Sequence, residues 1–178
     1  LNRIWVGIEG YGVYRFDPDR ETFTRLDLLP GNAGAALDIW AISSDRQGSV
    51  WFGSFGQGLF RLKPDGKVRQ YLPEQGIAGL PDENVLSLAQ DKRGRLWIAT
   101  SSGIVQWQNE RFIAFNNEAL VSKVVITLMP DSDASMWLGT QAGLDHALPD
   151  GRIEHPAWNQ QLSDPRIMAV LAEPDGAR

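Results

Sequence analysis

The sequence predicts an all-β fold, a β-propeller of four repeats of four-stranded antiparallel blades, and three recurring features carry that prediction. A tryptophan between apolar neighbours returns at Trp5, Trp51, Trp97 and Trp137, with spacings of 46, 46 and 40 residues. Two places after each stands a small residue, Gly7, Gly53, Ala99 or Gly139, and further on a second glycine, Gly12, Gly58, Gly103 or Gly143. Six places before the last three tryptophans stands Asp45, Asp91 or Asp131, and three places before them Gly48, Gly94 or Ala134. A period of ~40–45 residues holding four short strands marks a propeller blade.

Each period begins with an apolar run, Ile39 to Ile42, Val85 to Leu88 or Val125 to Leu128, long enough for one strand. Asp-x-x-Gly then makes a turn, because Asp caps its own backbone and Gly supplies a positive φ. The tryptophan strand follows, and its small residue fits the place where strands crowd toward the axis. The second glycine leads into a third strand such as Leu59 to Leu62. Turns of the Pro64-Asp65-Gly66 and Pro149-Asp150-Gly151 kind lead to a fourth. The repeats divide near 1–36, 37–82, 83–122 and 123–164, with a further first strand expected at 165–178 from Ile167-Met168-Ala169-Val170, Glu173 and Gly176. In this frame the next tryptophan would be residue 179, so the 178 residues close on nearly the phase at which they open.

Composition narrows the function classes. The chain is 43% hydrophobic and 22% charged, as soluble domains are, and no apolar run approaches the ~18 residues of a membrane span. Leu1-Asn2-Arg3 shows neither an initiator Met nor a signal pattern, as expected of a segment cut from a longer polypeptide. A net charge of −5 and no basic stripe argue against a nucleic-acid partner. With no cysteine there is no disulfide, no thiol nucleophile and no Cys-ligated zinc.

The four in-phase tryptophans are expected to be blade core, not binding platforms. Trp40, in phase with Leu86, Ile126 and Met168, and Trp107, in phase with Phe16, Leu62 and Ala147, are assigned to the core as well. Asp45, Asp91, Asp131, Gly48 and Gly94 are expected to be turn architecture. Binding candidates are the aromatics that break the repeat. Tyr11 and Phe55 lie in turns after tryptophan strands, and Trp158 lies in a connection between blades. Both kinds of connection flank the mouth of a propeller axis, where a ring can stack on a sugar or fill a partner's pocket.

His146 and His155 form a weak candidate metal pair, since a two-residue Asp150-Gly151 turn would set them face to face. The matching pair one blade type earlier, Arg61 opposite Gln70, points to a solvated outer surface. No catalytic constellation, phosphate loop or cofactor motif is evident, so the segment is expected not to be an enzyme.

The segment Gly79-Leu80-Pro81 to Thr100 resembles the two-component-regulator propeller repeat, with its GLP-x-x-x-V-x-S-L and D-x-x-G-x-L-W-I-G-T pattern. Asp45 to Ser54 and Asp131 to Thr140 are similar; Ala134 and Ala99 depart from the pattern at glycine positions, and the GLP element is clear only before Val85. The resemblance implies a seven-bladed ring, with the remaining blades and a downstream transmembrane and output domain as partners. It implies a periplasmic signal-input module of a hybrid histidine kinase or diguanylate cyclase, binding a small ligand such as a carbohydrate, or a protein. Bare blade faces would favour self-association. The alternatives are a propeller enzyme such as a streptogramin-cleaving lyase and a passive interaction scaffold.

Overall fold

Strand pairing follows the repeat. The computed structural model describes residues 3–29, 36–73 and 79–172. Strands β1 (Ile4–Ile8), β2 (Gly12–Asp17) and β3 (Thr22–Leu26) form a three-stranded sheet. Three four-stranded sheets follow: β4 (Asp38–Ser44) to β7 (Val68–Tyr71), β8 (Val85–Gln90) to β11 (Arg111–Ala114), and β12 (Val125–Pro130) to β15 (Ile153–Glu154). Within them β5 is Val50–Phe55, β6 Leu59–Leu62, β9 Leu96–Thr100, β10 Gly103–Gln108, β13 Met136–Thr140 and β14 Gly143–Ala147. All pairs are antiparallel and sequential. Of the sheets, the first strands β4, β8 and β12 pack on one another, whereas the fourth strands make no comparable contact across sheets. First strands therefore line the axis and fourth strands face outward.

The core lies between blades. One cluster joins the first two sheets through Val13, Leu37, Phe52 and Phe60; the next joins Trp51, Tyr71, Leu96 and Trp107; the last joins Trp97, Val125, Met136 and Leu138. Trp5, Trp51 and Trp97 thus pack toward the following blade. Trp51 and Trp97 are wholly buried, and Trp107 is core as expected. Trp5 is half-buried, edge-on to Phe52 at 5.5 Å, and Trp137 is half-buried, stacked on His146.

The small residue two places after each tryptophan has a specific cause. A Cβ at Gly53 would stand 2.5 Å from Val85 Cγ1, and one at Gly139 would stand 2.8 Å from Ile167 Cγ2. At Gly53 the first residue of the next inner strand, Val85, occupies that hollow, and at Gly139 Thr127 of the same sheet and Ile167 share it. Ala99, against Val125, shows that one methyl can be fitted in the third blade.

The acidic residue does more than cap its turn. Asp45 Oδ1 accepts the N–H groups of Gln47 and Ser49, and Oδ2 accepts the Trp51 indole N–H at 2.8 Å. Asp91 and Asp131 take the indoles of Trp97 and Trp137 likewise, at 2.9 and 2.8 Å. The six-residue spacing is therefore set by a bond between turn and core. The turn position three before the tryptophan has φ +80° at Gly48 and +81° at Gly94, and Ala134 is forced to +70°. A left-handed alanine costs ~1–2 kcal/mol, so Ala134→Gly is expected to stabilise the chain by about 1 kcal/mol in a denaturant titration. A loss of stability would show that the buried methyl outweighs the strain.

Two assignments are corrected. Trp40 is not core: it is 59% exposed. The inner strands carry a bulge after their first buried residue, between Ile39 and Ala41, Val85 and Ser87, and Val125 and Thr127. The bulged residue is turned out of the sheet packing. Over its described part, residues 165–172, the further first strand expected at 165–178 carries no strand pairing. Glu173 and Gly176 lie outside the described residues.

Candidate functional site

The bulge and the turn after the tryptophan strand meet at the axis end of the second blade. Asp38, the first residue of β4, pairs with Phe55, the last of β5. Two residues on, the bulged Trp40 lays its indole over the Phe55 ring, with centroids 5.1 Å apart and planes 23° from parallel. Both rings are open to solvent, Phe55 at 47%. The neighbouring blade joins from the other side: the Gly10 N–H donates to Asp38 Oδ1 at 2.7 Å, and the Gly12 N–H to Leu37 O. Tyr11, between those two donors, is 66% exposed.

An offset aromatic pair exposed on both members is costly in a soluble domain unless something covers it. Ordered backbone on either side fixes its place. The first blade contributes a turn tied by Tyr11 N–H to Ile8 O, and the second contributes a strand start tied to Gly10. The result is an exposed apolar platform one strand pairing away from the Asp38 carboxylate, with Tyr11 exposed on the adjoining turn. Such a site can stack the flat face of a ring and hydrogen-bond its edge.

Of the sequence candidates, Phe55 stacks with Trp40, which repeat phase places in the core, and Tyr11 lies on the turn next to Gly10, whose N–H donates to Asp38. Trp158 stands apart. It lies 45% exposed in the 3-10 turn Ala157–Gln161 of the fourth blade, two blades from the pair. Its neighbour Asn159 pins that connection by two hydrogen bonds to Leu144, accepting its N–H and donating to its carbonyl. Asn117 does the same to Ile104 one blade earlier.

The histidine pair is not formed. The turn spans 148–152 rather than two residues, so His146 pairs with Glu154 and Ala147 with Ile153. A one-residue change of register sends the two rings to opposite faces. His146 stacks on Trp137 at 4.0 Å and shares a hydrogen bond with Ser135 Oγ. His155 shares one, at 2.7 Å, with Asp145, a carboxylate that is fully buried where the second blade has Phe60 and that also accepts the Val121 N–H. Among the described residues no three His, Cys, Asp or Glu side chains gather around a common point.

The same register shift overturns the Arg61–Gln70 pairing: Arg61 faces Arg69, and Phe60 faces Gln70. Arg61 is 4% exposed, not solvated. Its guanidinium lies over Trp51, 4.9 Å from the ring centre, and reaches Asp45 in its own blade and Glu110 in the next. Hydrogen bonding to Arg61 holds the Glu110 carboxyl below its ordinary value, and burial pushes the Tyr71 hydroxyl up. These groups clamp two blades at the end away from Trp40. A groove of about 520 Å³ opens at that far end too, lined by Arg3, Trp5, Arg15, Gly48 and Pro64.

Comparison with known proteins places this architecture. Residues 79–102 match the family model described as two component regulator propeller. No curated protein matches the chain. Among solved structures, the extracellular domain assigned to the hybrid two-component system BT4673 of B. thetaiotaomicron superposes with a TM-score of 0.65 at 25% identity, over 82% of this chain and 20% of that one. The corresponding domain of BT3049 from the same organism superposes with a TM-score of 0.64 at 14% identity, over 92% and 28%. Virginiamycin B lyase from Staphylococcus aureus gives 0.67 at 16% identity, over 86% and 51%. The last two likenesses show the β-propeller fold alone. The chain spans about one fifth of the length of the first of these structures.

Proposed function

We propose that this chain, which carries a two-component-regulator propeller repeat, is part of the extracytoplasmic sensor of a membrane-bound two-component or diguanylate cyclase regulator, and that it binds its ligand without chemical change on the Trp40–Phe55 platform. The observation that carries the proposal is the stacked, solvent-open pair at the end of the inner strands, in the one blade whose bulge residue is aromatic. The likeness to an extracellular sensor-system domain at 25% identity supports the input role. Among the described residues no helix is long and apolar enough to cross a membrane.

The ligand class that suits the platform is a neutral sugar chain. A pyranose offers an apolar C–H face to an indole and hydroxyls at its edge that a carboxylate such as Asp38 can accept from. The propeller scaffold supplies rigidity, so binding pays little for ordering the site.

Intrinsic tryptophan fluorescence, titrated with soluble neutral α-glucan, β-glucan and arabinan oligosaccharides, tests the proposal. At least one class is expected to shift the emission saturably, and Trp40→Ala to weaken that binding by ~30-fold, the loss typical of a central aromatic contact. Equal affinity in wild type and Trp40→Ala would remove the platform from the site. New reducing ends or unsaturated products in the same mixtures would overturn the non-catalytic part.

A further inference from the structure

We infer that the Trp40–Phe55 platform selects its ligand by charge: of two sugar chains with the same C–H face, it takes the one carrying protonated amines more tightly. The inference rests on the proposed ligand platform and narrows its ligand class. Five carboxylates stand on the backbone segments around the pair: Glu9, Asp27, Asp38, Asp82 and Glu83. Asp38 is the strand partner of Phe55 and lies two residues before Trp40. Glu9 precedes Gly10, whose N–H donates to Asp38. Glu83 lies toward the third blade, where its carbonyl accepts the N–H of Gly58, three residues past Phe55. Asp27 and Asp82 belong to the connections that lead into β4 and β8.

These carboxylates have no cation in their own segments. No Lys or Arg occurs in residues 8–12, 27–40, 54–58 or 72–86. Asp27 and Asp38 accept backbone N–H groups, Asp82 accepts the Asn84 N–H and the Ser102 hydroxyl, and Glu9 and Glu83 are exposed. The opposite end of the second and third blades is built differently. Its turns, residues 45–48, 63–67, 91–95 and 108–111, hold seven Lys or Arg against four acids. Each of those acids is in an ion pair: Asp45 and Glu110 with Arg61, Asp65 with Lys67 and Asp91 with Arg95.

Two effects then favour the same sign of charge. An open indole face attracts a cation through its ring quadrupole, tryptophan more than any other side chain. Carboxylates without a counter-cation add to that attraction over about a Debye length, ~10 Å at 0.1 M salt. A protonated amino sugar profits from both and keeps the C–H face that stacks on Trp40. Its N-acetylated form keeps the face and loses the charge. A uronate brings the opposite charge and is repelled.

The tetramers of glucosamine and of N-acetylglucosamine are the paired probes, alike in ring and linkage and different in charge. Both are titrated against tryptophan fluorescence slightly below neutral pH, where amines are protonated and ordinary carboxylates ionised. The glucosamine tetramer is expected to bind ~10-fold more tightly at low salt, with the ratio shrinking at high salt. Glu9→Gln/Glu83→Gln is expected to bring the two affinities within about twofold, and Trp40→Ala to weaken both. An unchanged ratio in Glu9→Gln/Glu83→Gln would overturn the assignment to these carboxylates. Equal or tighter binding of the N-acetylated tetramer, weakened by Trp40→Ala, would overturn the charge preference and leave the platform standing. Binding of the glucosamine tetramer that survives Trp40→Ala is general attraction to a chain of net charge −5, and overturns the preference as well. If the glucosamine tetramer does not bind, the preference falls, and the neutral glucan titrations decide the platform on their own.

Discussion

Trp97→Ala is expected to cost ~3–5 kcal/mol, the range for truncating a large buried aromatic, and to leave the chain largely unfolded under mild conditions. The indole is wholly buried between the third and fourth blades, packed with Met136 and Leu138 and set 5.2 Å from the Phe115 ring. A domain holds ~5–15 kcal/mol in all, and the interfaces of this arc are laid in series, so one failed interface frees the fourth blade. The indole bond to Asp91 is a smaller part of the effect. Asp91 Oδ2 keeps the Arg95 guanidinium at 2.6 Å, so Trp97→Phe is expected to lose only ~1 kcal/mol. Trp158→Ala supplies the contrast. That ring is 45% exposed and makes no hydrogen bond or ring contact among the described residues, so its loss is expected to stay within ~0.5 kcal/mol. Urea titrations of the three variants against wild type measure this. Equal destabilisation by Trp97→Ala and Trp158→Ala would show that register and connection tryptophans do not differ in role.

The blade pattern was legible because it is fixed by local chemistry that repeats. The turn of Asp45 to Gly48, the tryptophan strands and the small residues at Gly53 and Gly139 each answer to one packing constraint, and every copy shows it. Trp40 escapes the pattern because its phase-mates Leu86, Ile126 and Met168 are all apolar, while the bulge that turns this position outward does not show in the phase. The signal was present: Ile39 and Ile42, Val85 and Leu88, and Val125 and Leu128 are each three apart and all pack inward or nearly so, a spacing that an unbulged strand cannot satisfy. The histidines were misplaced by turn length. Pro149-Asp150-Gly151 closes a longer loop through Leu148 N–H to Arg152 O, and one residue of register decides which face each ring takes. The burial of Arg61 and Asp145 was beyond the pattern altogether. Each is a polar residue in an apolar setting, and its partners, Glu110 for Arg61 and His155 for Asp145, are fixed only when strands or blades come together.

The Arg61 clamp makes the second large expected effect. Arg61→Ala is expected to destabilise the chain by ~3 kcal/mol, the low end for breaking a buried ion pair. The low end applies because Asp45, left behind, still accepts three N–H donors, from Gln47, Ser49 and Trp51. The remaining loss comes from the guanidinium that fills the space over Trp51 and Trp107. Glu110 is 57% exposed, and a half-exposed pair is worth under ~1 kcal/mol, so Glu110→Gln is expected to be mild. The two effects separate further with pH. Arg61 holds the Glu110 carboxyl below its ordinary value near 4.5, so this contribution is fully present above that value and is lost as pH falls through the lowered one. Wild-type stability is therefore expected to fall more steeply on acidification below about pH 4.5 than that of Arg61→Ala, in which Glu110 titrates normally. Urea midpoints of both proteins between neutral and acid pH decide it. If Glu110→Gln costs as much as Arg61→Ala, the exposed half of the clamp carries the blade interface and the buried pair with Asp45 does not.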